Sequence, residues 1–232
     1  MRFFTPEKKI VDETKYYDLS PILPENIKGF FLTGRFLRRN KEEIVQFYSK
    51  MGIDVKEVVI PKQIHSSLIY DAFKDIECDG LYTKEEKKVI CVSSADCVPI
   101  MISIDKGKCI AVIHSGYKGT LLKIADKFCD LFPPDSFDSV YLGPSIRSCC
   151  YQVDSQRIID FKNVFGDSPF IDKEKKVIDL PLLNYSIFKE RGVKEDTIFL
   201  DGRCSLCGDE DFSSFRKDKE KAGRMTLSIV KL

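Results

Sequence analysis

The chain's two histidines are the residues whose type and spacing are best suited to chemistry. His65 and His114 are the only imidazoles in 232 residues, each lies beside a strand-like apolar segment, and Cys97 lies between them in Ser-Ala-Asp-Cys. Two imidazoles and a thiolate can hold a transition metal and leave one position open for water or substrate, as in catalytic zinc sites. The alternative is a pair of ordinary histidines and a buried cysteine that packs as a small hydrophobic residue. The spacing of His65, Cys97 and His114 matches no short metal motif and leaves both interpretations open.

The composition indicates which kind of partner the protein binds and which compartment it occupies. Lys plus Arg number 37 and Asp plus Glu number 36, so no strong net field favours nucleic acid or an anionic membrane, and a small molecule is the expected partner. Nine cysteines, including the adjacent Cys149 and Cys150, are an odd number and a poor framework for secreted disulfides. We therefore expect reduced thiols and a cytoplasmic protein.

Neither an export signal nor a membrane span is expected. The first ten residues include several charged residues and lack the apolar core of a signal peptide. The longest apolar stretch, residues 89–104, is interrupted by Ser93, Ser94 and Asp96, and it is shorter than the ~20 residues that a membrane helix needs. These features predict a soluble protein.

Apolar runs of strand length alternate with segments of helical period, which predicts an α/β or α+β fold. No linker-like segment divides the sequence, so residues 1–232 are expected to form one domain of mixed β-sheets with flanking helices. Strands are predicted at residues 28–33, 57–60, 68–73, 89–92, 98–104, 109–113, 139–142, 177–180, 197–200 and 225–230. Helices are predicted after Asn40, over residues 121–132, from Asp154 to Phe165, and from Pro181 to Arg191.

These elements deliver the three candidate ligands to turns. Pro61 ends a strand just before His65, so His65 lies in a tight connection. Cys97 lies between two β-branched runs, and His114 ends a buried strand just before a helix. Open α/β sheets usually bind ligands at the carboxyl ends of their strands. His114 therefore occupies an expected ligand-binding position.

Ordered motifs surround the candidate ligands and extend over most of the chain. The motifs are KQIH at 62–65, CDGL at 78–81, SADCVP at 94–99, HSGYKGT at 114–120, LGPSI at 142–146, CCY at 149–151, CSLC at 204–207, SFRKD at 214–218 and GR at 223–224. This series resembles the YfiH-like laccase-domain family, whose members are labelled polyphenol oxidases or purine nucleoside phosphorylases. The resemblance extends from about Gly29 to Ile229.

The resemblance implies a YfiH-like fold, similar to that of the toxin deamidases, and a zinc site. In the family the matching histidines and cysteine bind zinc, which assigns His65, Cys97 and His114 as ligands here, with copper as the alternative ion. It also implies phosphorolysis of adenosine, inosine, guanosine or methylthioadenosine and deamination of adenosine. A purine nucleoside and phosphate are thus the expected partners, without nucleic acid or membrane.

Several positions depart from the family pattern. Tyr117 and Lys118 stand where the family has tryptophan and arginine, which keeps an aromatic face and a positive charge but loses the bidentate guanidinium. Gln152 stands where a glutamate is usual, and Arg35 remains from a reduced N-terminal motif. We expect Arg35, Gln63, Tyr117 and Lys118 to contact substrate.

Two residues are predicted to take part in catalysis. Asp96 adjoins Cys97 and could orient a ligand or a water molecule, although a turn aspartate is an equal alternative. Lys118 lies in a glycine-containing segment before a helix, where backbone N–H groups favour anions, although such segments are commonly simple turns. Lys118 is expected to contact phosphate.

Three other functions remain open on the sequence. Cys97 could be the nucleophile and His114 the base of a cysteine hydrolase or deamidase, but this pair gives no role to His65. A phenol oxidase could carry one copper ion at the same ligands, whereas a multicopper oxidase needs more imidazoles than two. A non-catalytic module would hold a structural metal with a fourth protein ligand.

Two further clusters have less specific interpretations. Cys204 and Cys207 could be redox-active or could bind a second metal together with Cys149 and Cys150, but reduced cysteines packed structurally are the preferred interpretation. The basic cluster of Arg216, Lys217, Lys219 and Lys221 is interleaved with acidic residues and is predicted to be mainly a solvated face.

Overall fold

The computed structural model describes residues 1–33, 40–73 and 76–232. The strands are β1 (Arg2–Phe3), β2 (Lys8–Val11), β3 (Thr14–Asp18), β4 (Ile27–Leu32), β5 (Glu57–Val59), β6 (Ile69–Asp71), β7 (Gly80–Thr83), β8 (Lys88–Ser94), β9 (Val98–Ile104), β10 (Cys109–Ser115), β11 (Phe137–Leu142), β12 (Ile171–Asp172), β13 (Val177–Ile178), β14 (Ile198–Leu200) and β15 (Met225–Lys231). The helices are α1 (Lys41–Lys50), α2 (Tyr117–Leu121), α3 (Ile124–Cys129), α4 (Ser155–Phe165), α5 (Leu180–Glu190) and α6 (Phe215–Asp218). Short 3₁₀ turns occur at Ser20–Ile22, Pro134–Ser136, Glu195–Thr197 and Lys219–Lys221.

Two mixed sheets pack face to face. Within the described residues, one sheet has the order β1-β14-β11-β9-β10-β7-β6 and the other β2-β3-β4-β15-β8-β5, and β12 pairs with β13 separately. Both large sheets combine parallel and antiparallel pairs. The predicted mixed α/β architecture is confirmed.

Alternation along the central strands explains why their sequences are continuously apolar. Ile100 and Ile102 of β9 pack on the helical side of their sheet, against α3, α4 and α5, while Met101 faces the second sheet. Neighbouring residues of a strand point to opposite faces, so a strand covered on both sides needs apolar residues throughout. The second sheet buries its outer face against Ile44 and Phe47 of α1.

Side-chain caps set several helix boundaries where they were predicted. The Asn40 side chain accepts from the Glu43 backbone N–H at 2.9 Å, and Asp154 caps α4 through the Arg157 backbone N–H at 2.7 Å. A side-chain oxygen at the N-cap satisfies a backbone donor that has no partner within the helix. Gly166 ends α4 with φ of +61°.

Three predicted elements need correction. The helix predicted over residues 121–132 is divided into α2 and α3, because Lys123 adopts a left-handed conformation with φ of +53°. The strand predicted over residues 177–180 ends earlier, since Asp179 caps α5 by accepting from the Leu182 backbone N–H. Strand β10 continues through His114 to Ser115 and pairs with β9 over its whole length.

The described ranges contain no helix with the length and apolar character required to cross a membrane. Arg35, the predicted substrate contact near the N-terminus, lies outside the described residues.

Candidate functional site

The structure brings His65, Cys97 and His114 together. His65 lies in the loop between β5 and β6, Cys97 in the turn between β8 and β9, and His114 near the end of β10. Their ligand atoms lie within 4.8 Å of one another, and the two imidazole centroids are 5.0 Å apart with the rings nearly perpendicular. His114 pairs with Pro99 in the β9–β10 register. Antiparallel pairing therefore carries His114 to the turn that holds Cys97.

Asp79 positions both histidines. Its fully buried carboxylate lies 2.8 Å from His114 Nδ1 and also accepts the His65 backbone N–H at 3.1 Å. The backbone N–H and hydroxyl of Ser66 donate to its other oxygen. A carboxylate on one ring nitrogen fixes the imidazole and directs the other nitrogen toward a metal. Sequence reasoning missed this role, although Asp79 precedes Gly80 in one of the recognised motifs.

Unusual backbone geometry surrounds the cluster. His65 has φ of +58° and Asp96 has φ of +88°, a region that residues other than glycine rarely occupy. A Cβ added to Gly116 would lie 2.7 Å from Cys97 Sγ and 3.4 Å from His65 Cδ2. Backbone strain and close approach of this kind concentrate at functional sites. Gly116 keeps the space beside the sulfur open.

The imidazoles make Cys97 strongly acidic for a thiol. Burial would raise the pKa of Cys97, but His114 and His65 outweigh it and lower the pKa to about 6. Burial would likewise lower the pKa of His114, but Cys97 and Asp79 raise it to about 9. Asp79 has its pKa held below the ordinary value by donors from His114 and Ser66, which outweigh burial. Without a metal, the cluster is a thiolate–imidazolium pair supported by a carboxylate.

The donor set fits a thiophilic transition metal. Imidazole nitrogen and thiolate sulfur suit zinc and copper. With Nδ1 of His114 bonded to Asp79, Nε2 is the free nitrogen, and Gly116 provides room beside Cys97. Across the described ranges, no fourth His, Cys, Asp or Glu belongs to this group of possible ligands. A metal here would keep a position for water or substrate.

The cluster lies in a cavity of about 450 Å³, a volume within the range of small-molecule sites. Aromatic side chains line the cavity, namely Tyr117, Tyr151 and Phe215. Ser94 also lines it, and among the described residues its buried hydroxyl has no hydrogen-bond partner. A buried hydroxyl without a partner is expected to bond water or a ligand.

Four cations also line the cavity: Arg157, Arg216, Lys219 and Arg224. The Arg157 guanidinium lies over the Tyr117 ring, 3.8 Å from its centroid, and it interacts with the Tyr151 hydroxyl. Arg216 lies 5.4 Å from the centroid of the Tyr151 ring. Tyr117, Arg157, Tyr151 and Arg216 therefore form one continuous surface.

Arg216 and Lys219 correct part of the sequence-based picture. The cluster to which they belong was predicted to be mainly a solvated face, and Lys217, Lys219 and Lys221 are exposed. Arg216 on α6 and Lys219 directly after it nevertheless line the cavity as well. Arg157 was not identified at all from the sequence. It lies on α4 without a motif of its own, and only the packing of α4 beside Tyr117 reveals its position.

Lys118 lies elsewhere. It is exposed and is absent from the described residues that line the cavity, whereas its neighbour Tyr117 lines it. The structure does not bring the predicted phosphate contact of Lys118 to the site.

Asp96 and Gln63 line the cavity with their polar groups already engaged. Asp96 accepts from the Ser205 hydroxyl and from the Arg216 backbone N–H, both at 2.6 Å. Gln63 makes two hydrogen bonds of 2.8 Å to the backbone of Ser93. These contacts tie together the loops around Cys97 and His65. The catalytic role of Asp96 and the substrate contact of Gln63 remain predictions.

Sequence comparison identifies relatives with named activities. The chain is 32% identical over 192 residues to a purine nucleoside phosphorylase of Clostridium acetobutylicum, with 78% of this chain and 80% of the relative covered. It is 28% identical over 204 residues to an adenosine deaminase from an unknown prokaryotic organism, with 78% of each covered.

Structure comparison shows a shared fold. The YlmD protein of Geobacillus stearothermophilus has a TM-score of 0.83 at 21% identity, with 98% of this chain and 99% of that chain covered. The YfiH protein of Bacillus licheniformis has a TM-score of 0.79 at 21% identity, with 94% and 96% covered. Residues 37–231 match the family model described as multi-copper polyphenol oxidoreductase laccase. The chain belongs to this laccase-like family, to which the YfiH-like motifs around His65, Cys97 and His114 had pointed.

Proposed function

We propose that this protein is a metal-dependent enzyme that cleaves purine nucleosides with phosphate, and that it also deaminates adenosine. The observation that carries the proposal is a single cavity in which the His65, Cys97 and His114 cluster faces aromatic rings and guanidinium groups. The named activities of the relatives support both reactions.

The cavity offers a complementary surface to each part of the substrates. A purine is flat and aromatic, and Tyr117, Tyr151 and Phe215 provide rings against which it can pack. Phosphate is a small anion, and Arg157 and Arg216 provide guanidinium groups with several donors each. We assign phosphate binding to these arginines rather than to Lys118.

Phosphorolysis requires a phosphate oxygen to bond C1′ of the ribose while the bond from C1′ to the purine breaks. The leaving purine carries the bonding electrons and takes a proton from water or from phosphate. Fixed cations hold the phosphate anion beside C1′ and stabilise the negative charge that develops as the purine leaves. In the proposed role, Arg157 orients the phosphate while the rings hold the base.

The chain's own residues prepare the metal site. Asp79 fixes the His114 ring, and the turn at Gly116 leaves Cys97 accessible. Zinc bound by His65, Cys97 and His114 would supply Lewis acidity and a water molecule of lowered pKa. Copper is the alternative ion for this donor set.

A cysteine hydrolase or deamidase is the second candidate, and one observation favours it. Asp79, His114 and Cys97 follow one another as carboxylate, imidazole and thiol, the order found in nucleophilic triads. Metal analysis separates the candidates. Metal-free protein that is fully active and is inactivated by alkylation at Cys97 would favour the hydrolase.

The family's description names multicopper oxidation, but two histidines are too few for a trinuclear cluster with a separate blue-copper centre. Stoichiometric phenol oxidation with several coppers bound per chain would contradict this argument.

The proposed activity is tested by incubating the purified protein with adenosine, with and without phosphate, and separating the products by chromatography. Adenine and ribose 1-phosphate should form only with phosphate, and inosine should form without it. His114→Ala should abolish both reactions. Cys129→Ala, a change of a buried cysteine on α3 away from the cavity, is the matched control. Absence of every product would refute the nucleoside assignment.

A further inference from the structure

A second cluster of ligands lies outside the cavity. Cys149 and Cys150 follow β11, and Cys204 and Cys207 follow β14, its parallel neighbour in the sheet. All four sulfur atoms lie within 4.8 Å of one another. Because parallel strands end at the same edge of a sheet, the pairing of β11 and β14 brings together cysteines that are more than fifty residues apart in sequence.

The sulfur positions match a tetrahedral metal site. The Sγ atoms of Cys149, Cys150 and Cys207 are separated by 3.7, 3.7 and 3.6 Å. Four sulfurs about 2.3 Å from a central zinc ion would be about 3.8 Å apart along each tetrahedral edge. A disulfide would need a separation of about 2.05 Å. These three distances are close to the expected edge length of the tetrahedron.

The backbone around Cys204 suits a metal-bound thiolate. The Gly208 N–H donates to the Cys204 carbonyl at 2.8 Å, which closes a tight turn around Cys207. A Cβ on Gly208 would lie 2.6 Å from that carbonyl oxygen, so the turn requires glycine. The backbone N–H groups of Leu206 and Cys207 interact with the Cys204 sulfur. Such donors offset the negative charge that thiolates concentrate at a tetrathiolate site.

We propose that Cys149, Cys150, Cys204 and Cys207 bind one Zn²⁺ ion in a closed, structural tetrathiolate site. Four thiolates in tetrahedral geometry select zinc or iron, and a site closed by four protein ligands is structural. This proposal replaces the expectation of reduced cysteines packed without a metal. It does not depend on the proposed nucleoside chemistry.

The site would connect two loops that support the cavity. Tyr151, next to Cys150, lines the cavity, and Ser205, next to Cys204, donates to Asp96. The Ser205 N–H also bonds the Ser145 carbonyl at 3.0 Å. Two of the four cysteines, Cys149 and Cys207, are exposed. A metal would hold both loops in place and protect these thiols from oxidation.

Elemental analysis of protein purified without added chelator tests the proposal. Cys207→Ser should hold one zinc ion fewer per chain than the wild type, whichever metal the histidine cluster binds. The control Cys129→Ala changes a free cysteine outside both clusters and should keep the wild-type zinc content. An unchanged zinc content in Cys207→Ser would overturn the proposal.

A second measurement tests the proposal even if Cys207→Ser does not fold. The Cys97→Ala variant removes a ligand of the cavity cluster and should retain one zinc ion with four sulfur neighbours at about 2.3 Å in X-ray absorption. Nitrogen or oxygen neighbours, iron in place of zinc, or no bound metal would overturn the proposal. So would a disulfide among the four cysteines, measured as a thiol count below nine in the denatured wild type.

Discussion

Asp79→Asn tests whether one buried carboxylate organises the candidate metal site. One oxygen of Asp79 faces His114 Nδ1 and the His65 backbone N–H, and the other accepts from Ile64 and Ser66. Asparagine keeps only one oxygen, so its amide N–H groups must face one of these two sets of donors. Either the loop that carries His65 loses its acceptor, or His114 loses the partner that fixes its protonated nitrogen.

Both arrangements weaken metal binding. If the amide N–H faces His114, the favoured tautomer places the proton on Nε2, the nitrogen required by the metal. Loss of such a supporting partner typically costs 10- to 100-fold in metal affinity, which corresponds to about 1.4–2.8 kcal/mol. Because a buried donor without an acceptor costs about 1–3 kcal/mol, the free energy of unfolding should fall by a similar amount.

The chain's two histidines make the assay specific. Zinc is titrated in competition with a chromophoric chelator while the two imidazole spectra are followed by nitrogen-correlated NMR, which reports the tautomer of each ring. Signals from His65 and His114 distinguish this site from the sulfur cluster. Asp71→Asn, at an exposed position on β6, is the matched control and should leave affinity unchanged. An Asp79→Asn protein with wild-type affinity and an unchanged His114 tautomer would refute the reasoning.

Three further predictions concern the same cavity. Gly116→Ala should lower zinc affinity at the histidine cluster by at least about tenfold, because its Cβ would lie 2.7 Å from Cys97 Sγ. In the chelator titration, Gly202→Ala is the control, because its Cβ would make only ordinary contacts. Arg157→Ala should raise the KM for phosphate about tenfold or more through loss of a charged hydrogen bond, whereas Lys118→Ala should not; steady-state kinetics showing the reverse would restore Lys118 to the site. In the metal-free protein, charged His114 should stabilise the fold below pH 6.5 and lose this effect as the pH rises through about 9. Charged Cys97 should stabilise the fold at high pH and lose this effect as the pH falls through about 6. Both Cys97 and His114 are therefore charged between about pH 6 and about pH 9. The rate of alkylation of Cys97, plotted against pH, should then have its midpoint near pH 6. A midpoint at the pH of an ordinary thiol, unchanged in His114→Ala, would contradict the pairing of Cys97 with His114.

Much of the fold follows from local patterns. The cap at Asn40, the stop at Gly166 and the apolar runs of β9 and β10 predict their elements closely, because capping and burial depend on residues close in sequence. The pattern over residues 121–132 predicts one helix, yet Lys123 interrupts it. The spacing of apolar residues does not predict where a single residue adopts a left-handed backbone conformation.

The sequence by itself determined which atoms are available for chemistry. Only two imidazoles exist, so a multicopper cluster has too few ligands, and the motifs around His65, Cys97 and His114 single out the three residues that the structure brings together. Residue type and scarcity are properties of the chain, and folding does not change them.

Tertiary structure alone decided which side chains meet. Asp79 approaches His114 because β7 and β10 are paired, Arg157 reaches Tyr117 because α4 packs beside α2, and Tyr117 lines the cavity while its exposed neighbour Lys118 does not. The four-cysteine cluster likewise depends on the pairing of β11 with β14. These contacts join residues far apart in the chain, and they depend on strand order and helix packing rather than on any local pattern.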